Sequence, residues 1–442
     1  MLHSVARAAS ETCGWRRFLL TRRGNLDYLG CMNQTIFFSV GEPSGDQHAA
    51  RLIRALKGRQ PELTIRGFGG QEMRRAGCAV DLDLTEHAVV GILEVLPKLR
   101  EFFGFADQAE AIFAAGGVDA VVLVDFPGFN WHIAKRAKKY GIPVIYFCPP
   151  QLWAWGGWRV KKMKATVDHV LAVLPIEEQF FGGHGIPTSF VGHPFFDAVS
   201  ESQPDASLMQ SLTAAAPQAQ TVAVLPGSRT HEVHRNWPVM LDAIAELSAA
   251  NPETRFAVAA YREKHFEFCK TTAAAKTAAS GRPLPIDFYW GATSEVIEHA
   301  ACAMMVSGSV SLELMARQTP AAVVYRVGRF LYAFGKCVVK VESMTLPNLM
   351  PEASGPGSDG AGSNERVFPE IVSVGNPATA KDFLVATVGR MLNDPQYLAM
   401  KRRQLAGLRD RYAKPGACDR AAAKLLKLLA PDAVADLPKR AA

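Results

Sequence analysis

What most constrains this chain is an alternation, carried through twice, of short β-branched or aromatic runs with helical stretches. In the first series, residues 35–40 precede a helical pattern over 46–57, and 64–68 precede 71–76. Residues 120–124 precede 133–140, 144–147 follow, 169–174 lead into 176–181, and 189–191 close the series. The second series is 221–225, a helix through 237–250, 255–260, a helix from 263, 286–290, a short helix over 295–300, 302–306, a helix from 311, and 321–325. Strands separated by helices pair in parallel, because a parallel partner needs a crossover connection. Helices then cover both faces of each sheet, and the strands read as continuous apolar runs. Two doubly wound α/β domains in tandem are the economical outcome.

Between the series, residues 198–219 turn to Ser, Ala, Gln and Asp and read as a linker with one short helix. The expected division is an extension over 1–31, a first domain over 32–199, a linker over 200–219 and a second domain over 220–395. Helices over 381–392, 397–412 and 421–429 fall at its end; the region 396–442 is expected to pack back on the first domain and finish in a mobile tail. The Arg-rich residues 1–31 make a poor secretion signal. They read as a disordered extension or an unused upstream start, with a mitochondrial-type presequence as the minor alternative. Residues 352–364, EASGPGSDGAGSN, are low-complexity and read as a mobile loop.

A length of 442 residues suffices for two separate cores, and 48% hydrophobic against 21% charged residues excludes a disordered chain. The net charge of +7 suits anionic partners such as nucleotide diphosphates or acidic lipid heads; no nucleic acid is expected. The eight cysteines contain no Cys-x-x-Cys pair and the histidines no His-Glu-x-x-His. Neither a zinc site nor a disulfide framework is suggested, so no metal and no cofactor is expected and the thiols read as reduced core residues. No apolar run reaches the roughly 18–20 residues needed to span a bilayer.

Open parallel sheets bind ligands beyond the carboxyl ends of their strands, so the strand-to-helix turns hold the candidate chemistry. The first is Gly41-Glu42-Pro43-Ser44-Gly45-Asp46. Its glycines permit a tight turn, Ser44 or Asp46 suits a helix cap, and the amides there suit an anion or a sugar hydroxyl. Asp125-Phe126-Pro127-Gly128-Phe129-Asn130 follows a fully apolar run. A carboxylate at the tip of a buried strand is costly unless partnered or working, and partial desolvation suits it to accept a proton. Helix capping explains the same residue.

Trp153 and Trp155, ahead of Arg159, Lys161, Lys162 and Lys164, suit sugar stacking or ordinary packing equally. In the second series, Ser228 and Arg229 suit phosphate oxygens. Ser307, Gly308 and Ser309 open a helix as a diphosphate cradle would, with Glu313 placed for ribose hydroxyls. Residues 89–105 are apolar with basic punctuation; Val90, Leu93 and Phe102 there suit a membrane interface or acyl chains, or burial between helices.

Taken together, GEPSGD at 41–46, GILEVLP at 91–97, DFPGFN at 125–130, PPQLWAW at 149–155, FVGHP at 190–194, LPGSR at 225–229, SGSVSLE at 307–313 and LPNLM at 346–350 resemble the lipid-A-disaccharide synthase family. The resemblance covers about residues 33–430 and implies a GT-B glycosyltransferase fold of two Rossmann-like domains facing a cleft. It further implies metal-free, inverting transfer of 2,3-diacylglucosamine from UDP-2,3-diacylglucosamine to 2,3-diacylglucosamine 1-phosphate, at the inner face of the bacterial cytoplasmic membrane, by a peripheral protein that in the family can be a homodimer. Asp125 matches the family's proposed general base. Arg229, Ser307, Ser309, Glu313 and Asn348 fall in its donor-side motifs, and Glu42, Ser44 and Asp46 in its first-domain loop. Gly128 stands where many members carry a second Asp, and Pro149-Pro150-Gln151-Leu152 where many read Ser-Pro-Ser-Val.

Three rivals share parts of this pattern. Another GT-B lipid-linked transferase or a UDP-sugar epimerase shares the second-domain cradle. A nucleotide-dependent oxidoreductase needs a Gly-x-Gly-x-x-Gly turn directly after a strand, and none of the strand-to-helix turns carries one. A non-catalytic membrane scaffold gives no reason for Asp125 and Arg229.

Overall fold

The computed structural model describes residues 34–87, 99–215, 219–329, 332, 343–352 and 366–430. These form two all-parallel sheets. The first has the order β3-β2-β1-β4-β5-β6-β7, with β1 at Thr35–Val40, β2 at Thr64–Gly69, β3 at Ala79–Asp83, β4 at Ala120–Val124, β5 at Val144–Phe147, β6 at His169–Ala172 and β7 at Thr188–Phe190. The second has the order β10-β9-β8-β11-β12-β13, with β8 at Thr221–Leu225, β9 at Arg255–Ala260, β10 at Ile286–Trp290, β11 at Cys302–Val306, β12 at Ala321–Val327 and β13 at Glu370–Val374.

The central strands are buried on both faces, which explains their unbroken apolar sequences. All five residues of β4 (AVVLV), β8 (TVAVL) and β11 (CAMMV) are buried. Register is clean: Ile36 lies opposite Ala120 and Val40 opposite Val124, so the tips of β1 and β4 end level with each other. Likewise Cys302 lies opposite Val222 and Met305 opposite Leu225, which brings the tips of β8 and β11 side by side.

Residues 206–215 of the expected linker form the helix Ala206–Ala215. The helix Ala417–Leu429 leaves the second sheet and packs on the helix Pro43–Arg59 of the first. A carboxylate fixes that return. Asp197, in the helix Pro194–Glu201, accepts from the amides of Gly416, Ala417 and Cys418 at 2.7, 3.0 and 2.8 Å. Cys78, Cys148, Cys269, Cys302 and Cys418 are free thiols, and all but Cys148 are buried.

Two strands escaped the sequence reading. β3 is an edge strand of half-exposed residues, and β13 lies beyond the low-complexity stretch; neither carries a long apolar run. The apolar segment 89–105 also needs correction where it is described. Its end belongs to the helix Leu99–Ala115, and Phe102 points into the first core, only 8% exposed, within ring contact of Phe105, Phe126 and Phe129. Burial among aromatic rings, not contact with lipid, accounts for Phe102. Val90 and Leu93 lie outside the described residues.

Candidate functional site

In each sheet the strand order reverses direction once, between β1 and β4 and between β8 and β11. Chains leaving neighbouring strands there turn away in opposite directions and open a crevice, the usual ligand site of such sheets. The four turns at these two switch points are 41–46, 125–130, 226–229 and 307–313, the same four that carried the most chemistry in the sequence.

The first pair of turns is packed without slack. A Cβ on Gly41 would sit 2.1 Å from the Phe126 ring, so only glycine lets the two turns meet. A Cβ on Gly45 would lie 3.8 Å from that of Asp125, which places Asp125 beside the start of the helix Pro43–Arg59. Asp125 and Phe126 both hold left-handed backbone, with φ of 49° and 43°, a conformation costly for residues with a Cβ. The structure overdetermines it. Tyr146 Oη donates to the Asp125 carbonyl at 2.6 Å and Asn130 Nδ2 donates to it at 2.8 Å. Asn130 is fully buried; its Nδ2 also reaches the carbonyls of Ser39 and Val124, and its Oδ1 accepts from Ser39 Oγ at 2.6 Å. One amide thus ties the tips of β1 and β4 together and anchors the backbone that aims Asp125.

Burial pushes the Asp125 carboxyl up to about 7; the neighbouring Glu42 charge adds to the rise, while the Phe126 amide and Arg229 oppose it. Glu42 is also raised, chiefly by burial and again against the pull of Arg229. Two carboxyls and one guanidinium therefore share a single electrostatic neighbourhood, although Arg229 belongs to the second sheet and the carboxyls to the first. Burial outweighs the cation, so near neutral pH Asp125 divides between a proton acceptor and its acid form.

Across the gap, Ser228 and Arg229 are exposed, with Arg229 Nη1 3.2 Å from Glu232 Oε1. Gly308 and Ser309 are likewise exposed at the entry to the helix Val310–Ala316. Ser307 donates its hydroxyl to the Met344 carbonyl at 2.9 Å. Glu313 is nearly buried, and its Oε1 accepts from Ser294 Oγ and from Arg317 Nε.

Several candidates take other work. Asp46 accepts from the amides of Gly70, Glu72 and Met73 at 2.9, 2.9 and 3.2 Å, so its carboxylate caps the helix Gln71–Arg75 instead of facing the cleft. Asn348 spends both ends of its amide on Phe368, donating to the carbonyl at 2.8 Å and accepting from the amide at 2.9 Å. Trp153 is buried in the core, whereas Trp155 is exposed with the Arg159 guanidinium 4.2 Å from its ring. Ser44 is exposed at the helix start.

Conversely, the sequence reading passed over Asn130 and Tyr146. It also missed Tyr261 and Trp290, exposed aromatics at the neighbouring tips of β9 and β10, where Trp290 pairs with Ala260. Aromatic residues ending an apolar strand were the available signal. Among the described residues, no group of His, Cys, Asp or Glu is arranged to hold a metal ion.

Comparison with known proteins adds an independent line. Residues 36–354 match the family model described as lipid-A-disaccharide synthetase. A protein of Geobacter metallireducens named lipid-A-disaccharide synthase is 32% identical over 399 residues, covering 90% of this chain and 98% of that protein. Among solved structures, the UDP-GlcNAc 2-epimerase of Neisseria meningitidis bound to UDP-GlcNAc superposes with a TM-score of 0.58 at 12% identity, covering 89% of this chain and 99% of that one. The calicheamicin glycosyltransferase CalG4 gives 0.53 at 16% identity, with coverages of 90% and 99%. These structures share the GT-B fold, two parallel-sheet α/β domains.

Proposed function

The chain belongs to the lipid-A-disaccharide synthetase family, a glycosyltransferase family, and from that premise we propose that it transfers 2,3-diacylglucosamine from its UDP conjugate to 2,3-diacylglucosamine 1-phosphate. Asp125 takes the proton of the acceptor's 6-hydroxyl. The freed oxygen attacks the anomeric carbon from the face opposite UDP, the bond to the diphosphate breaks, and the configuration inverts. Arg229 and the exposed Ser228 and Ser309 receive the diphosphate charge as it develops, where preorganised donors lower the barrier most. Glu42 keeps Asp125 basic enough to act, and Glu313, whose Oε1 is held by Ser294 and Arg317, offers its second oxygen to the ribose. Tyr261 and Trp290 offer rings on which a uracil can stack. Both substrates carry acyl chains, so the protein works as a peripheral enzyme at the inner face of the cytoplasmic membrane. No helix of the described residues is long and apolar enough to cross that membrane.

The observation that carries this reading is the shared neighbourhood of Asp125, Glu42 and Arg229 at the meeting of the two switch points. Incubation with both diacylglucosamine substrates should release UDP. Asp125→Asn should abolish that release while leaving UDP affinity within about two-fold, a change smaller than one hydrogen bond's worth. Undiminished turnover in this variant removes Asp125 as the base.

A further inference from the structure

Beside the cleft, the first domain carries a face that the chemistry above leaves unused. The loop between β5 and the helix Val160–Thr166 presents Trp158 and Trp155, 68% and 46% exposed, although tryptophan is among the costliest side chains to leave in water. Arg159 lies between them, its guanidinium 4.2 Å from the Trp155 ring and 5.7 Å from the Trp158 ring. Lys162 stands 5.5 Å from the Trp131 ring and within electrostatic reach of Lys135 and Arg159. His132, one residue along from Trp131, feels Lys162 and Lys135 and meets the exposed ring of Phe103 at 5.1 Å. Ring contacts join Phe103 to His132 and Arg159 to the two tryptophans, and Lys162 lies within electrostatic reach of both His132 and Arg159.

Charge separates this face from an ordinary solvated surface. Arg136, on the same helix as Lys135, is paired with Asp107 and Glu110. No carboxylate among the described residues pairs with Lys135, Arg159 or Lys162, and burial with mutual repulsion holds Lys162 below the usual lysine range. Uncompensated cations gathered beside exposed indoles fit an anionic surface that is apolar beneath. That is the character of an acidic lipid bilayer, where tryptophan settles at the headgroup level and lysine and arginine meet phosphate.

We propose that Phe103, Trp155, Trp158, Lys135, Arg159 and Lys162 form the face by which this protein rests on an anionic membrane. The inference deepens the synthase reading and rests on it for the lipid nature of the substrates. The loop carrying these tryptophans leaves β5, whose Phe147 pairs with Val124 at the tip of β4 just before Asp125, so the face borders the mouth of the cleft. An acceptor leaving the bilayer there enters the site without crossing water.

The test is sedimentation of the full chain with vesicles of phosphatidylglycerol mixed with phosphatidylcholine, against vesicles of phosphatidylcholine alone. Wild type should bind the acidic vesicles and release them as salt rises. The variant Trp158→Ser/Lys135→Gln/Lys162→Gln should bind them more than about twenty-fold more weakly, since each lysine near an acidic surface contributes about a factor of five. Thermal midpoint and UDP affinity should hold, and Lys135→Gln/Lys162→Gln alone carries the test if the triple variant does not fold. Equal partitioning of variant and wild type, or equal wild-type binding to both vesicles, overturns the proposal. Vesicle binding is read without turnover, so absent UDP release with vesicle binding intact would count against the synthase reading alone.

Discussion

Asp125 is held by its backbone before its side chain does anything. Its left-handed conformation persists because Tyr146 and Asn130 both donate to its carbonyl, and those two bonds decide where the carboxyl points. Tyr146→Phe removes one donor and leaves the ring packing. It should lower kcat about ten-fold, the worth of one buried hydrogen bond, and move the acid limb of the pH–rate profile while leaving KM for UDP-sugar unchanged. A role confined to folding would lower the thermal midpoint and leave that limb in place. With Asp125 as the proposed base, the wild-type limb should fall near 7, because a base acts deprotonated and burial raises this carboxyl to about 7. The stability sign is the reverse. The folded state holds this proton more tightly than the unfolded chain, whose Asp titrates near 4, so Asp125 costs stability as pH rises between about 4 and 7. Asp125→Asn should therefore raise the thermal midpoint at pH 8 and leave it nearly unchanged at pH 4, read by differential scanning calorimetry.

At the scale of elements, the helix Leu99–Ala115 shows how an apolar stretch is misjudged. Its composition suits a membrane interface, but its period places Phe102, Ala106, Ala109 and Phe113 on one buried face. Phe103, one residue along, points outward and joins the cationic face described above. Phe102→Ala should cost about 3–5 kcal/mol by chemical denaturation, the range for deleting a buried aromatic, with no change in vesicle binding. Loss of vesicle binding without loss of stability would return Phe102 to the lipid side. The strands and helices themselves were legible because β4, β8 and β11 are uniformly apolar and the helices between them follow a 3.6-residue period. β3 was not, since a half-exposed edge strand carries too little apolar signal.

At the scale of the whole molecule, the second domain is tied to the first by the chain's return through the helix Ala417–Leu429. Asp197 supplies three of the bonds at its start, a cap reaching across 219 to 221 positions of sequence. Asp197→Ala leaves those buried amides without a partner and should cost about 2 kcal/mol. It should be visible in urea unfolding, and an unchanged midpoint would mean that helix packing alone secures the return. His193, beside this junction, caps the helix Pro194–Glu201 through Nδ1, and burial drives its pKa down to about 3. It stays neutral through the physiological range.

The sequence by itself determined the two parallel sheets, the turns at their tips and the residue types gathered in them. Those properties follow from local pattern: apolar runs, helical periods, glycines where chains reverse, and the joint spacing of eight short motifs. Only the tertiary structure decided how those residues divide their labour. Asp46 and Asn348 look like ligand-binding groups in sequence, yet each is consumed by backbone from a distant segment. Asn130 and Tyr146 carry no role of their own in the sequence, yet they hold the Asp125 backbone. A side chain's polar atoms are claimed by whatever folding brings within 3 Å, and that choice is made by contacts far apart in the chain, where no local pattern records it.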